Sequence, residues 1–165
     1  MREVSFRIED EIRTALDARL RQEALAFSAY LNANAMTPER WFGPGFWRIP
    51  WENNYLCGIH FYGLNPSAHQ NGWVFWFFAG DYDVEAGDAQ TQFVWEHVGP
   101  CVACSEGCER QGGIDMRFFG RQFRHVCYQF PVRIENPDAE ALEQIKELLQ
   151  LWKEMAPHSD GLHVH

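Results

Sequence analysis

Four of the five cysteines lie in one stretch of the sequence, at a spacing that suits metal binding. Two residues separate the first from the second, three separate the second from the third, and eighteen precede the fourth. They are Cys101, Cys104, Cys108 and Cys127. Zinc binds four thiolates in a tetrahedron, and a C-x2-C pair can direct two sulfur atoms at one centre. The pattern therefore predicts a tetrathiolate site that holds a structural zinc ion.

Other chemistries are compatible with the same cysteines. An iron–sulfur cluster also takes four thiolate ligands. Alternatively, Cys101 and Cys104 form a C-x2-C pair of the kind that thiol-redox enzymes use. The thiols can also be unconnected, with Cys127 an apolar core residue. Four protein ligands leave no open coordination position, so a metal ion bound here is expected to be structural rather than catalytic.

Arginines are concentrated in the same part of the chain. Between residues 109 and 134 there are five of them against two acidic residues. The arginines are Arg110, Arg117, Arg121, Arg124 and Arg133, and the acids are Glu109 and Asp115. A locally positive surface can receive an anionic ligand or partner, although alternation on a solvent-facing strand explains the same pattern. Arg117 and Arg124 are therefore candidate ligand-binding residues.

Aromatic residues make up 15% of the chain, with 13 Phe and 7 Trp. Several fall in strand-like runs where they can converge on one side of a sheet. The candidates for an aromatic ligand-binding face are Trp47, Trp73, Phe75 and Phe77. Aromatic walls line many small-molecule pockets, but they also form protein cores. Both interpretations stay open at this point.

The elements that must position these residues follow from hydrophobic periodicity and breaker residues. Helices are predicted over residues 10–34, 88–97 and 136–155, and strands over residues 46–49, 55–62, 73–78, 114–118, 122–127 and 130–134. Cys57 and His60 lie three positions apart in one of these strands and so point to opposite faces, which favours core packing over a second metal site. The fold class predicted is α+β: an antiparallel sheet flanked by an N-terminal and a C-terminal amphipathic helix, with a cysteine-rich metal loop.

Length and charge narrow the possible functions. The 165 residues fit a single domain over the whole chain, with a frayed tail at residues 158–165. A net charge of −9 argues against a general nucleic-acid binder, which needs a basic footprint. There is no apolar run of roughly 18 residues for a membrane span. Without an apolar signal-peptide core, the predicted compartment is the cytoplasm, where thiols stay reduced.

From about Trp73 to Lys153 the chain resembles a family of small bacterial proteins. The shared features are a C-x2-C-x3-C loop, an F-G-x-x-F-x-x-V-C hairpin and a C-terminal helix that begins with N-P-D. In this sequence they correspond to the Cys101 to Cys108 loop, to Phe119 to Cys127, and to the helix after Asn136. The family has no known activity, so the resemblance implies a recurring architecture and no particular chemistry.

Together these features predict a soluble, zinc-stapled binding module without enzymatic activity. Its ligand would be a small molecule or a partner, bound through the aromatic sheet face. The alternatives are a thiol-redox enzyme that uses Cys101 and Cys104, or an iron–sulfur protein.

Overall fold

The structure is a computed structural model that describes residues 6–52, 54–62, 72–77, 85–102 and 108–155. Its helices are α1 (Ile8–Ala15), α2 (Ala18–Ala33), α3 (Asp88–Glu96) and α4 (Ala139–Met155). Its strands are β1 (Glu39–Arg40), β2 (Phe46–Trp51), β3 (Asn54–Phe61), β4 (Trp73–Phe77), β5 (Ile114–Phe118), β6 (Arg121–Val126) and β7 (Val132–Glu135). The predicted α+β class with an antiparallel sheet is confirmed.

Five of the strands form a sheet in the order β1-β2-β3-β4-β7, and β5 and β6 form an antiparallel hairpin. In the large sheet, β2 pairs with β3 so that Phe46 lies opposite His60 and Trp47 opposite Ile59. The sequence predicted that β2 would end before Pro50, but the strand continues to Trp51. A register irregularity between Ile49 and Pro50 lets the strand continue, because a bulge tolerates the missing proline N–H.

The predicted N-terminal helix is two helices, because the chain becomes extended at Leu16 and Asp17. The Oδ1 atom of Asp17 accepts hydrogen bonds from the backbone N–H groups of Arg19 and Leu20, at 3.1 and 3.0 Å, and so caps α2. Leu16 is itself buried at the break, so the hydrophobic periodicity runs through it without interruption. The apolar pattern alone therefore conceals the break.

The C-terminal helix begins later than predicted, and the reason lies in Asn136. Its side-chain oxygen accepts a hydrogen bond from the backbone N–H of Trp73 at 2.8 Å, so Asn136 fixes the start of β4 and does not cap a helix. The cap of α4 is Asp138, which accepts a hydrogen bond from the N–H of Ala141 at 2.8 Å. Asn136 adopts φ 44°, the left-handed conformation that asparagine tolerates.

The described chain packs as two compact units. The first comprises the residues up to Phe75 and Glu135–Leu142, and the second comprises Trp76–Ile134 and the residues from Glu143 onward. In the first unit Phe27 of α2 meets the rings of Trp73 and Phe75 at centroid distances of 6.2 and 5.6 Å. In the second, Phe77 packs edge-on against Trp152 at 3.8 Å. The assignment of one folding domain stays a prediction.

No helix within the described ranges is both long and apolar enough to cross a bilayer. The tail at residues 158–165, predicted to be frayed, lies outside the described residues, as does Cys104.

Candidate functional site

Residues 97–101, here called the bridging segment, connect α3 to the cysteines and pair with two strands. Val98 forms an antiparallel bridge with Val132 of β7, and Pro100 forms one with Val126 of β6. The sequence predicted only that the helix over residues 88–97 ends at this place. The pairing brings the first cysteine of the predicted site beside the end of the hairpin.

Cys101 and Cys127 are held by hydrogen bonds on either side of the Pro100–Val126 bridge. The N–H of Cys101 donates to the carbonyl of His125 at 2.7 Å, and the N–H of Cys127 donates to the carbonyl of Gly99 at 2.9 Å. In an antiparallel pair, the residue that follows the bridge on one strand and the residue that follows it on the other point to the same face. They are diagonal neighbours, separated by about 7–8 Å. The two cysteines therefore lie on one face of two neighbouring segments, although they are distant in the sequence.

The turn that follows Cys108 contacts the residues on either side of Cys127. The guanidinium of Arg110 lies 5.4 Å from the ring centroid of Tyr128, the residue after Cys127. Gly113 passes so close to β6 that a Cβ atom added there would lie 2.6 Å from the carbonyl oxygen of Val126. The segments that carry the three described cysteines of the pattern are thus neighbours in the second unit.

The side chains do not form a complete ligand set in the described part of the chain. No group of three His, Cys, Asp or Glu side chains there is arranged to hold a metal ion. Cys101 and Cys108 are half-buried free thiols, and Cys127 is a buried one. Because Cys104 lies outside the described residues, the four-cysteine metal site stays a prediction.

The arginines near these cysteines form no ion pair with a carboxylate of the described residues. Arg110 and Arg121 lie over aromatic rings, and Arg133 donates a hydrogen bond to the carbonyl of Pro100 at 3.2 Å. Arg117 and Arg124 are exposed on the hairpin, where Arg117 lies opposite Gln122. The predicted solvent-facing alternation on an outer strand thus accounts for where they lie, and their role in binding stays a prediction.

The four aromatic residues proposed for a ligand-binding face are core residues. Trp47, Trp73, Phe75 and Phe77 have exposed fractions of only 0–1%. The indole N–H of Trp47 donates to the Oε2 atom of Glu11 on α1. Of the two interpretations left open by the sequence, their burial matches the core. A ligand could reach them only if this packing opened, so their binding role also stays a prediction.

The face of β2 and β3 opposite to Trp47 carries a second aromatic group, which was not predicted from the sequence. Phe42 is 63% exposed and packs against Trp41 and Phe46 at centroid distances of 4.5 and 4.3 Å. His60 stacks on Phe46 at 3.7 Å with 10° between the ring planes. The signal was the alternation in β2, which puts Phe46 on the face opposite to the buried Trp47.

No family model, no curated protein and no solved structure matches this chain. The resemblance to small bacterial proteins therefore stays a prediction.

Proposed function

We propose that this chain is a non-enzymatic binding module of the cytoplasm whose second unit is fastened by a structural zinc ion. The ligands would be Cys101, Cys104, Cys108 and Cys127. The supporting observation is the hydrogen-bonded ladder that puts Cys101 and Cys127 on one face of neighbouring segments.

Zinc suits this place because the described part of the cysteine loop contributes little apolar burial. Within the described part of the cysteine loop, Val102 is 62% exposed and so adds little to a hydrophobic core. Four Zn–S bonds of about 2.3 Å would replace that missing apolar burial. Metal binding of this kind contributes directly to folding free energy.

The surrounding charge favours such a site. Zinc with four thiolates carries a net charge of −2, and positive side chains nearby offset it. The guanidinium of Arg133 lies over Gly99, the residue hydrogen-bonded to Cys127, and a Cβ atom added to Gly99 would lie 2.6 Å from its Nε atom. A cationic group is therefore already present beside the ladder.

The role proposed for the module is binding, because a zinc ion with four protein ligands has no position left for a substrate. The aromatic sheet face was the first candidate surface, and its four residues are core residues. Arg117 and Arg124 are the candidates that solvent can reach.

Metal analysis of the purified protein, combined with thiol alkylation, tests this function. We expect about one zinc ion per chain, with the loop thiols unreactive until a chelator is added. A coloured, iron-containing preparation would identify the iron–sulfur alternative instead. Metal-free protein with a rapidly alkylated Cys101 or Cys104 would identify the thiol-redox alternative.

A further inference from the structure

The arginines of the second unit differ from most of those of the first in how their charge is compensated. Four of the six described arginines of the first unit, Arg7, Arg13, Arg40 and Arg48, lie 3.2–3.5 Å from carboxylates. None of the five arginines between residues 110 and 133 has such a partner among the described residues, although the chain has 23 acidic residues against 14 basic ones. An uncompensated positive surface on an acidic protein attracts anions locally.

Two of these arginines lie beside a hydrogen-bond donor. Arg117 on β5 lies opposite Gln122 on β6, and Arg124 lies two residues further along β6. Arg117 and Gln122 point to the same face because they lie opposite each other, and Arg124 adjoins them at the register shift that sets Val126 opposite Ile114. These three residues are here called the hairpin face. All three residues are exposed.

The side of the hairpin that faces away from the hairpin face is buried and hydrogen-bonded to α3. On the other side of the hairpin, Phe118 and Val126 are 0% and 1% exposed. The indole N–H of Trp95 on α3 donates to the carbonyl of Phe118 at 2.7 Å, and the guanidinium of Arg121 lies 5.3 Å from the Trp95 ring centroid. A fixed support lowers the entropic cost of binding at the opposite face.

We propose that the hairpin face binds an acidic, Asp- or Glu-rich segment of a partner protein. Carboxylates of that segment would accept paired hydrogen bonds from the guanidinium groups of Arg117 and Arg124, and the Gln122 amide would donate between them. The proposal rests on the binding function proposed above, and it names the surface and the partner. It does not depend on which metal the cysteines hold.

Charge complementarity favours a short acidic segment over a nucleic acid. The net charge of −9 repels a long polyanion, while a segment with a few carboxylates meets only the local positive field. Asp115, two residues from Arg117 and so on the same face of β5, is the only acid on the two strands of the hairpin, and it forms no ion pair with either arginine. The guanidinium groups are therefore available to an incoming carboxylate.

The test is a selection from a random dodecapeptide display library on the full chain. Enriched peptides are then synthesised, and their affinities are measured by fluorescence anisotropy at several salt concentrations. We expect enrichment in Asp and Glu, affinity that weakens with salt, and at least about a tenfold loss of affinity in the double variant Arg117→Gln/Arg124→Gln. Arg19→Gln is the control for the loss of an exposed arginine elsewhere, because Arg19 is also exposed but lies on α2 in the first unit.

Several results would overturn the proposal: no enrichment, neutral or basic peptides, equal affinity for the double variant, or tighter binding of a labelled DNA duplex than of any peptide. Zinc content and melting temperature are measured on the same samples. If the double variant keeps both and loses the peptide, the loss belongs to the hairpin face. If the wild-type chain contains no zinc yet binds acidic peptides, the zinc proposal fails and this one stands.

Discussion

His60 is kept neutral by the aromatic rings around it. Its ring lies parallel to that of Phe46, and Tyr62 meets it at an angle of 66° with centroids 5.3 Å apart. Burial lowers the pKa of His60 from 6.5 to about 4. Its Nε2 atom is buried and has no hydrogen-bond partner. Placing a positive charge here would therefore cost free energy.

This environment makes stability depend on pH. Between pH 6.5 and about 4, the unfolded chain binds a proton at His60 that the folded chain does not, so stability falls as the pH falls through this range. We expect His60→Phe, which preserves a ring against Phe46, to flatten the decline of melting temperature with falling pH. Differential scanning calorimetry gives the melting temperature of both proteins at each pH. The difference between the two curves isolates the effect of His60, because all other titrating groups are common to both proteins. Parallel curves would contradict this explanation.

Glu9 titrates in a different range. Burial raises its pKa, but hydrogen bonds from Ser28 and Asn32, at 2.8 and 3.1 Å, and the charge of Arg7 lower the pKa below 4.5 overall. The stability it contributes is therefore present above pH 4.5 and is lost as the pH falls through its own lowered pKa. This separates its effect from that of His60.

The sequence placed His60 in a strand and favoured core packing, but it could not identify its stacking partner. The pairing of His60 with Phe46 depends on the register of β2 and β3, and that register shifts between Ile49 and Pro50. A one-residue slip would turn every side chain to the other face. Alternation indicates which residues share a face within a strand, and only the pairing shows which rings meet.

At the scale of elements, the adjacent glycines Gly112 and Gly113 differ in whether there is space for a side chain. Gly112 and Gly113 have φ values of 88° and 76°, so alanine is strained at either position. Only at Gly113 would the added Cβ also collide with the backbone of β6. We expect Gly113→Ala to lower the free energy of unfolding by about 1–3 kcal/mol more than Gly112→Ala. Urea denaturation of both variants measures the difference, and equal losses would show that Gly113 does not pack as described.

The cysteine loop offers a substitution whose effect depends on the metal. Cys108 is half-buried, so without a metal ion Cys108→Ser should change the free energy of unfolding by less than about 0.5 kcal/mol. As a zinc ligand it should instead cost several degrees of melting temperature together with the bound zinc. Thermal unfolding with and without a chelator distinguishes the cases. A deficit that persists undiminished after chelation would argue against metal binding at Cys108.

Cys57→Ala is the control for that experiment. The Cys57 thiol is fully buried in β3, and burial raises its pKa, so it stays protonated. Its replacement leaves a small cavity whose cost should not respond to a chelator. Alanine is preferable to serine here, since a serine hydroxyl would be buried without a partner.

The elements were predictable where local signals are strong. Hydrophobic periodicity located α4, β4 and the hairpin to within a few residues, because each is a long or regular run. The division between α1 and α2 depends on the single capping residue Asp17, and the bridging segment depends on contacts with Val126 and Val132 that are remote in the sequence. Cysteine spacing likewise indicated a site but not the ladder that brings Cys101 beside Cys127.

At the scale of the whole molecule, the zinc proposal predicts a local effect in a chain with two units. Chelation should accelerate amide hydrogen exchange at Cys101 and Cys127, whose N–H groups bond to His125 and Gly99. The N–H of Phe61, which bonds to Gly45 at 3.0 Å in the first unit, should be much less affected. Exchange measured by NMR before and after chelation tests this. Equal acceleration at all three would mean that the metal supports the whole chain as one cooperative domain.

The distribution of charge is also a property of the whole chain. Its net charge of −9 coexists with five arginines between residues 110 and 133 that lack carboxylate partners in the described ranges. The excess of arginine over acidic residues in this stretch could be predicted from the sequence. The pairing of β5 with β6 was needed to show that Arg117 lies opposite Gln122 and that Arg124 adjoins them at the register shift.

X-ray absorption at the zinc edge of the purified protein would decide whether the four cysteines hold zinc, because it counts the atoms bound to the metal. We expect four sulfur atoms at about 2.3 Å and no nitrogen or oxygen ligand. Protein that contains no zinc, or a shell dominated by nitrogen and oxygen, would contradict it.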